Sequence, residues 1–255
     1  MMRTRVWVGS FVLFAALTVG CAESEQPVAE PVLAPTAQPQ PAVEVAHAAL
    51  GFIDVWNAAV SPWCSAVLVA PDVVMTSARC VQGLSAHLLR FGIGAVTPTG
   101  AEGGLFPVSQ IIVNPDHKQW QHDLAALILA APINNVTPVA MGGDLAAPAR
   151  LESVTYPYVA RGEAGARTLW AGSAQAIAGD ITVVPSEGKP GCQCVTGAGM
   201  INQAGQLLGF VSAGTTHADA DASAACAASF NLASVAQNQS FVRQAMAASA
   251  VPVVP

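Results

Sequence analysis

The stretch CSAVLVAPDVVMTSARCV, residues 64–81, decides the fold of this chain. Two runs of β-branched and other apolar residues flank Pro71 and Asp72, a pair that favours a turn. Cysteines stand at both ends of this strand–turn–strand unit. We therefore predict two antiparallel strands joined by a turn, with Cys64 and Cys80 as the first disulfide pair.

Similar short runs follow along the chain, separated by Pro, Gly, Asn and Asp: HLLRFG, FPVSQIIV, DLAALIL, DITVVP and QLLGFVSAG. Their spacing is typical of an all-β barrel or sandwich. Near the C-terminus, Phe241, Val242, Ala245 and Met246 have helical spacing. This pattern predicts one closing helix over residues 237–248.

The N-terminus has the layout of an export signal. Arg3 and Arg5 precede an apolar run from Val6 to Val19. As a helix this run would be about 21 Å long, shorter than the roughly 30 Å hydrocarbon core of a bilayer, so a permanent membrane span is the weaker interpretation. We assign residues 1–20 to a signal peptide.

Gly20 directly before Cys21 resembles the lipobox of bacterial lipoproteins, in which the cysteine is acylated and becomes the first mature residue. Thr18 departs from that motif, which usually has leucine there. An acylated Cys21 would hold the protein at a membrane, since each buried lipid methylene adds about 0.8 kcal/mol. We expect an exported cell-envelope protein, an outer-membrane lipoprotein, with ordinary cleavage and secretion as the alternative.

Residues 21–46 are rich in Pro and Ala and show no periodicity, which predicts an extended, lipid-anchored spacer. The remaining residues, 47–255, are enough for one large or two small packed units. At 53% hydrophobic residues, the chain can build a core without metals, and we expect no metal and no cofactor. The net charge of −6 and only ten Lys plus Arg argue against a nucleic-acid surface.

Three segments resemble those of trypsin-like (chymotrypsin-fold) serine proteases. The opening stretch is similar to the family's Cys-Gly-Gly-x-Leu-Ile and Thr-Ala-Ala-His-Cys. VSQIIVNPDHKQWQHDLAALILAAPI resembles Ile-Ile-x-His-Pro and Asn-Asp-Ile-Ala-Leu-Leu. GCQCVTGAGMINQAGQLLGFVSAG resembles Cys-x-Gly-Asp-Ser-Gly-Gly-Pro followed by Gly-Ile-Val-Ser-Trp-Gly. The three occur in the family's order and cover most of residues 50–250.

The resemblance implies an all-β fold of two six-stranded antiparallel β-barrels with an active-site cleft between them and a C-terminal helix. Barrel 1 would span about 47–145 and barrel 2 about 146–235. The resemblance also implies a disulfide between Cys192 and Cys226, which leaves Cys194 as the spare thiol.

At the catalytic positions the resemblance places Asp123 on the aspartate, Arg79 on the histidine and Thr196 on the serine; a shift of one residue would put Gly197 there instead. Peptide hydrolysis needs a hydroxyl nucleophile, a base and a group that orients the base. A guanidinium group stays protonated and has no lone pair, so Arg79 cannot be the base. Asp123 and Arg79 are expected to form an internal salt bridge, or Arg79 is offered to an acidic ligand.

Two neighbouring positions depart from the family pattern in the same direction. Val195 replaces the aspartate that receives the new N-terminus after activation cleavage, and no activation sequence is visible near residues 44–54. Cys194 replaces a glycine of the oxyanion loop, whose donors are worth about 3 kcal/mol in the barrier. The first two losses, Val195 and the missing activation sequence, belong to one mechanism and suggest that zymogen activation was abandoned.

Other histidines offer no obvious replacement base. His122 neighbours Asp123, and strand alternation predicts that it faces away from the cleft. Solvated surface positions are expected for His87, His117 and His217. Core or barrel-rim packing is expected for Trp56, Trp63, Trp120 and Trp170.

The sequence therefore favours a pseudoprotease: a trypsin-like homologue without proteolytic activity that binds a protein or peptide partner in the cleft between its barrels. We expect a monomer that contacts the membrane only through its lipid anchor. The alternative is a serine-type endopeptidase with unusual chemistry, in which Thr196 or Cys194 is the nucleophile. A structural envelope lipoprotein without a ligand is a third possibility.

Overall fold

The computed structural model describes residues 42–119, 121–145, 149–156, 158–177, 180–187, 195–215 and 229–249. Strands dominate these residues, and an α-helix lies near each end. In chain order the elements are α1 (Ala42–Ala48), β1 (Leu50–Val55), β2 (Val60–Ser61), β3 (Cys64–Ala70), β4 (Val73–Thr76), β5 (Leu89–Ile93), β6 (Val96–Thr97), β7 (Gly100–Ala101), β8 (Leu105–Val113), β9 (Ala125–Leu129), β10 (Ala140–Met141), β11 (Ala149–Thr155), β12 (Val159–Ala160), β13 (Thr168–Ile177), β14 (Asp180–Glu187), β15 (Gly199–Ile201), β16 (Gln206–Thr215), β17 (Ser229–Ser234) and α2 (Gln239–Ala247).

Barrel 1 is built around the predicted strand–turn–strand unit. Strands β3 and β4 are antiparallel, with Val67 opposite Met75, and every residue of both strands is buried. They lie in a closed barrel of order β1-β3-β4-β9-β8-β5. Both faces of β3 are buried, which explains why its run AVLVA is apolar throughout instead of alternating.

Cys64 and Cys80 form a disulfide with their Cα atoms 6.0 Å apart, which confirms the first predicted pair. Disulfides persist in oxidising compartments, so this bond indicates an exported protein. The other predicted cysteine roles lie outside the described residues: the disulfide between Cys192 and Cys226, the spare Cys194 and the acylated Cys21.

Barrel 2 has the strand order β16-β15-β11-β13-β14-β17, and pairing between β16 and β17 closes it. The predicted pair of six-stranded antiparallel barrels is therefore confirmed. Strand β10 adds a short parallel pairing to the start of β16, with Ala140 opposite Gln206. The sheet of barrel 2 thus recruits residues before position 146, where the sequence places the boundary.

Tyr156 ties the two barrels together. It follows β11, is fully buried, and donates a hydrogen bond from its hydroxyl to the carbonyl oxygen of Leu50 at 2.9 Å. Its ring centroid lies 5.0 Å from that of Phe52 in β1. Burial raises the pKa of the Tyr156 hydroxyl well above its ordinary value. The phenol therefore stays a neutral donor between the barrels.

Helix α1 includes residues 42–46, which the sequence assigns to the spacer, so packed structure is present before residue 47. The segment AVEVAHA follows the last proline of the spacer and contains good helix formers. Ala46 is buried. Gly205, with a φ of +73°, lies close under the helix start, where an added Cβ would come within 2.5 Å of the Ala42 carbonyl oxygen.

Helix α2 lies within the predicted range of residues 237–248 and buries Phe241, Val242 and Ala245, the predicted apolar face. These side chains pack into the same core as barrel 1. No helix among the described residues has the length and apolar character needed to cross a bilayer.

Candidate active site

Asp123 is placed by a tight turn just before β9. The amide of Leu124 donates to the carbonyl oxygen of His122 at 2.8 Å, and His122 has a left-handed φ of 50°. Asp123 is 0% exposed, whereas His122 is exposed. The turn therefore directs the carboxylate into the protein while its neighbour stays at the surface.

Four hydrogen bonds reach the Asp123 carboxylate. Its Oδ2 accepts from the hydroxyls of Ser77 and Ser212, both at 2.6 Å, and from Arg79 Nε at 2.9 Å. Its Oδ1 accepts from the backbone amide of Arg79 at 3.1 Å. His117 Nδ1 lies 3.6 Å from Oδ1, just beyond hydrogen-bonding distance. A buried carboxylate with this many donors is fully satisfied.

Arg79 covers the outer side of this carboxylate. It lies in a 3₁₀ turn, Ala78–Cys80, held by the disulfide and by the bond from Trp63 Nε1 to the Cys80 carbonyl oxygen at 3.0 Å. Its Nη2 donates to the carbonyl oxygen of Gln119 at 3.2 Å, and 35% of its side chain is exposed. The salt bridge between Arg79 and Asp123 that the sequence predicts is present in the structure.

Thr196 lies in a turn beside this disulfide. Its carbonyl oxygen accepts from the Ser65 amide at 2.9 Å, and the Ala198 amide donates to Val195 at 2.9 Å. Gly197 has a φ of +83°, and a Cβ there would lie 2.2 Å from the Ser65 carbonyl oxygen. Only glycine fits at position 197, so Thr196 is the residue of this turn that can present a hydroxyl.

A profile of the trypsin family matches residues 46–235 of the chain. The chain belongs to the trypsin family. A solved structure of kallikrein-related peptidase 10 in complex with Zn2+ has a TM-score of 0.62 and 17% sequence identity, over 80% of this chain and 98% of that one. At that identity the likeness shows the fold alone. A search of curated proteins finds no sequence relative.

In barrel 2, Val195 packs among apolar side chains of the described residues. It is 6% exposed and belongs to a cluster with Trp170, Met200 and Phe230. The sequence aligns Val195 with an aspartate that forms an ion pair after activation. Apolar packing against described residues of this cluster therefore anchors the start of this turn.

One histidine, His117, differs from its predicted surroundings, and another, His122, faces the predicted way for a different reason. His122 is indeed turned from Asp123, but by its left-handed turn and not by strand alternation, and its Nδ1 lies 2.8 Å from Asn238 Oδ1. His117 is not a solvated surface residue: its side chain is 15% exposed and faces Asp123. His87 is exposed as predicted, and His217 lies outside the described residues.

Three members of the site were missed by sequence reasoning. Ser212 lies in GFVSAG, aligned with the family's Ile-Val-Ser-Trp-Gly, so the alignment could have found it. Ser77 stands two residues before Arg79 in the motif itself. His117 lies in a loop of irregular conformation, and no periodic pattern indicates which way such a side chain turns.

The cation at the Asp123 site is the guanidinium group of Arg79, which cannot accept a proton. Among the described residues, no hydrogen bond reaches the Thr196 hydroxyl, so nothing here removes its proton. In the same part of the chain, no group of three His, Cys, Asp or Glu side chains could hold a metal ion.

Proposed function

We propose that this member of the trypsin family is proteolytically inactive and binds a protein or peptide partner in the cleft between its barrels. Export through its signal and acylation of Cys21 would place it at the cell envelope as an outer-membrane lipoprotein. The spacer would then separate the barrels from the membrane. The partner is neither a nucleic acid nor a cofactor.

The observation that carries this proposal is the bond of 2.9 Å from Arg79 Nε to Asp123 Oδ2. In the family's reaction the aspartate orients an imidazole that removes the proton of the nucleophile. Here it orients a guanidinium group, which has no lone pair with which to accept a proton. Ser77, Ser212 and the Arg79 amide also donate to this aspartate, so the cleft is stabilised although it has no histidine base.

Digestion of a degenerate peptide library, followed by mass spectrometry, tests the absence of catalysis. We expect the wild-type protein and Thr196→Ala to give the same products, because neither has an activated hydroxyl at position 196. Products that appear with the wild type and vanish with Thr196→Ala would contradict the proposal.

Retention of intact peptides from the same library tests the binding role. We expect Arg79→Met to change the set of retained peptides, because Arg79 lies at the Asp123 site with 35% of its side chain exposed. Arg243→Met, an exposed change on α2, serves as the matched control and should leave retention unchanged.

One contact favours a second candidate function, a serine-type endopeptidase with a non-standard base. His117 Nδ1 lies 3.6 Å from Asp123 Oδ1, the oxygen that Arg79 Nε does not use. A shift of under 1 Å would give an aspartate–imidazole pair within hydrogen-bonding distance. If this candidate is right, peptide turnover is lost in His117→Gln and kept in His87→Gln, an exposed histidine elsewhere.

A further inference from the structure

A cavity of about 230 Å³ on the protein surface shares no residue with the Asp123 site. The turn after β1, the β6–β7 hairpin and the turn after β12 form its walls. Val96 of the hairpin and Gly165, which follows the turn after β12, exchange two backbone hydrogen bonds of 3.0 Å. The side chains that matter here are those of Trp56, Arg90, Arg161, Thr97, Thr99 and Glu163.

The floor of this cavity carries more positive than negative charge. Asp54 is 1% exposed and accepts from Arg90 Nε and Arg161 Nη2, each at 3.0 Å, and from Ser61 Oγ at 2.8 Å. Arg90 Nη2 also donates to it. Two guanidinium groups thus share one carboxylate, so this hydrogen-bonded cluster carries a net charge of +1, while Glu163 on the cavity wall carries the opposite charge.

Glu163 does not supply the missing carboxylate. Its Oε2 accepts from the Ala160 amide at 3.3 Å, and no ion pair joins it to either arginine. Among the described residues, none accepts a hydrogen bond from Nη1 of Arg90 or of Arg161. The Nη1 groups of both arginines can therefore donate to a group that does not belong to the described residues.

An exposed indole stands beside these donors. Trp56 is 53% exposed, and its ring centroid lies 4.7 Å from the guanidinium carbon of Arg90. The left-handed residue Asn57, with a φ of 62°, makes the turn that leaves Trp56 at the surface. Tryptophan and arginine are the residues that contribute most often to binding energy in protein interfaces.

We propose that this cavity docks an extended acidic segment of a partner protein. A carboxylate of the segment accepts from the free Nη1 atoms of Arg90 and Arg161 and balances the surplus charge on the floor. A neighbouring apolar side chain of the segment covers the Trp56 indole, which a small inorganic anion would leave in water.

Calorimetric titration of the full-length protein tests the proposal with three capped peptides, Gly-Ile-Glu-Glu-Ile-Gly, Gly-Ile-Gln-Gln-Ile-Gly and Gly-Gly-Glu-Glu-Gly-Gly, and with inorganic phosphate. We expect the first peptide to bind at least about tenfold more tightly than each of the others, the difference that 1.4 kcal/mol gives. Its affinity should fall as salt is added, because the contact is charged and accessible.

Two variants locate the binding on the protein. Arg161→Gln removes the surplus charge and keeps the pair between Arg90 and Asp54, so the advantage of glutamate over glutamine should vanish. Trp56→Ala removes the exposed indole and its contact with Arg90, and it should remove the advantage of isoleucine over glycine. Arg243→Gln, the same loss of charge on helix α2, should leave all affinities within about twofold.

The outcomes that overturn the proposal are distinct. Equal weakening by Arg161→Gln and Arg243→Gln would show that only overall charge matters. Phosphate binding as tight as that of the first peptide would show a small-anion site, and no peptide binding up to millimolar concentration would show no site. Thermal unfolding of each variant confirms that it is folded. If Arg161→Gln does not fold, Trp56→Ala still tests the site, because an unchanged preference for isoleucine over glycine would show that the peptide does not contact this cavity.

Discussion

Removal of the Arg79 guanidinium should destabilise the protein, because it leaves Asp123 buried without its cation. Arg79→Met keeps most of the aliphatic stem and deletes the charge. Breaking a fully buried ion pair costs about 3–5 kcal/mol. Here 35% of the arginine side chain is exposed, which screens the pair, and the carboxylate keeps its bonds from Ser77, Ser212 and the position-79 amide. We therefore expect a loss of about 2 kcal/mol in the free energy of unfolding.

Asp123→Asn should cost more than Arg79→Met. The amide nitrogen that replaces one carboxylate oxygen cannot accept a hydrogen bond, so either the donors at Oδ2 or the Arg79 amide at Oδ1 loses its acceptor inside the protein. We expect a loss of about 3–5 kcal/mol. Arg243→Met changes an exposed arginine and should stay within about 0.5 kcal/mol of the wild type.

Urea unfolding at pH 7, followed by circular dichroism, measures these three differences. A loss of about 2 kcal/mol corresponds to a fall of roughly 4–8 °C in Tm for a domain of this size, which gives an independent check. If Arg79→Met is as stable as Arg243→Met, the salt bridge contributes nothing and the argument that it stabilises the cleft is refuted.

Burial alone would raise the pKa of Asp54, but hydrogen bonds from Ser61 and Arg90 and the arginine charges outweigh it and hold the pKa below the ordinary 3.8. This stabilisation is present above pH 3.8 and is lost as the pH falls through the folded-state pKa. Asp54→Asn should therefore cost about 3 kcal/mol in urea unfolding at pH 7 and less in acid, and a cost that does not change with pH would refute this. Burial lowers the pKa of His47 from its ordinary 6.5. As the pH falls through this range, the unfolded chain binds more protons than the folded protein, and the free energy of unfolding decreases. His47→Gln should flatten that decrease between pH 7 and 5, and an unchanged slope would assign it to other groups. Replacing Cys64 and Cys80 by alanine should cost about 3 kcal/mol, since the bond closes a loop with a sequence separation of 16, and a change in Tm under 2 °C would contradict this.

Much of the fold could be predicted because it depends on patterns within single segments. The stretch 64–81 alone contains two apolar strands, a turn and both disulfide partners, and the structure forms all of them. The C-terminal helix follows from the spacing of Phe241, Val242 and Ala245. Helix α1 was not predicted, because the burial of Ala46 depends on a contact with distant residues that local composition does not reveal.

The candidate site could be predicted only where a motif fixed a position along the chain. Arg79 and Asp123 stand at matched positions in two segments, and they meet as expected. His117 does not, because its direction depends on the path of an irregular loop. The Asp54 cluster was missed for a related reason: Arg90 and Arg161 converge from separate segments, and nothing in the spacing of 54, 90 and 161 indicates that they meet.

Treatment of the full-length protein with a fluorophosphonate probe, with the label mapped by mass spectrometry, tests the loss of catalysis most directly. The probe reacts with a hydroxyl only where a base activates it. Because Arg79, which the sequence aligns with the family's histidine base, cannot accept a proton, we predict no label on Thr196, in either the wild type or His117→Gln. Stoichiometric labelling of Thr196 in the wild type, matched by peptide turnover and abolished in Thr196→Ala, would contradict the account.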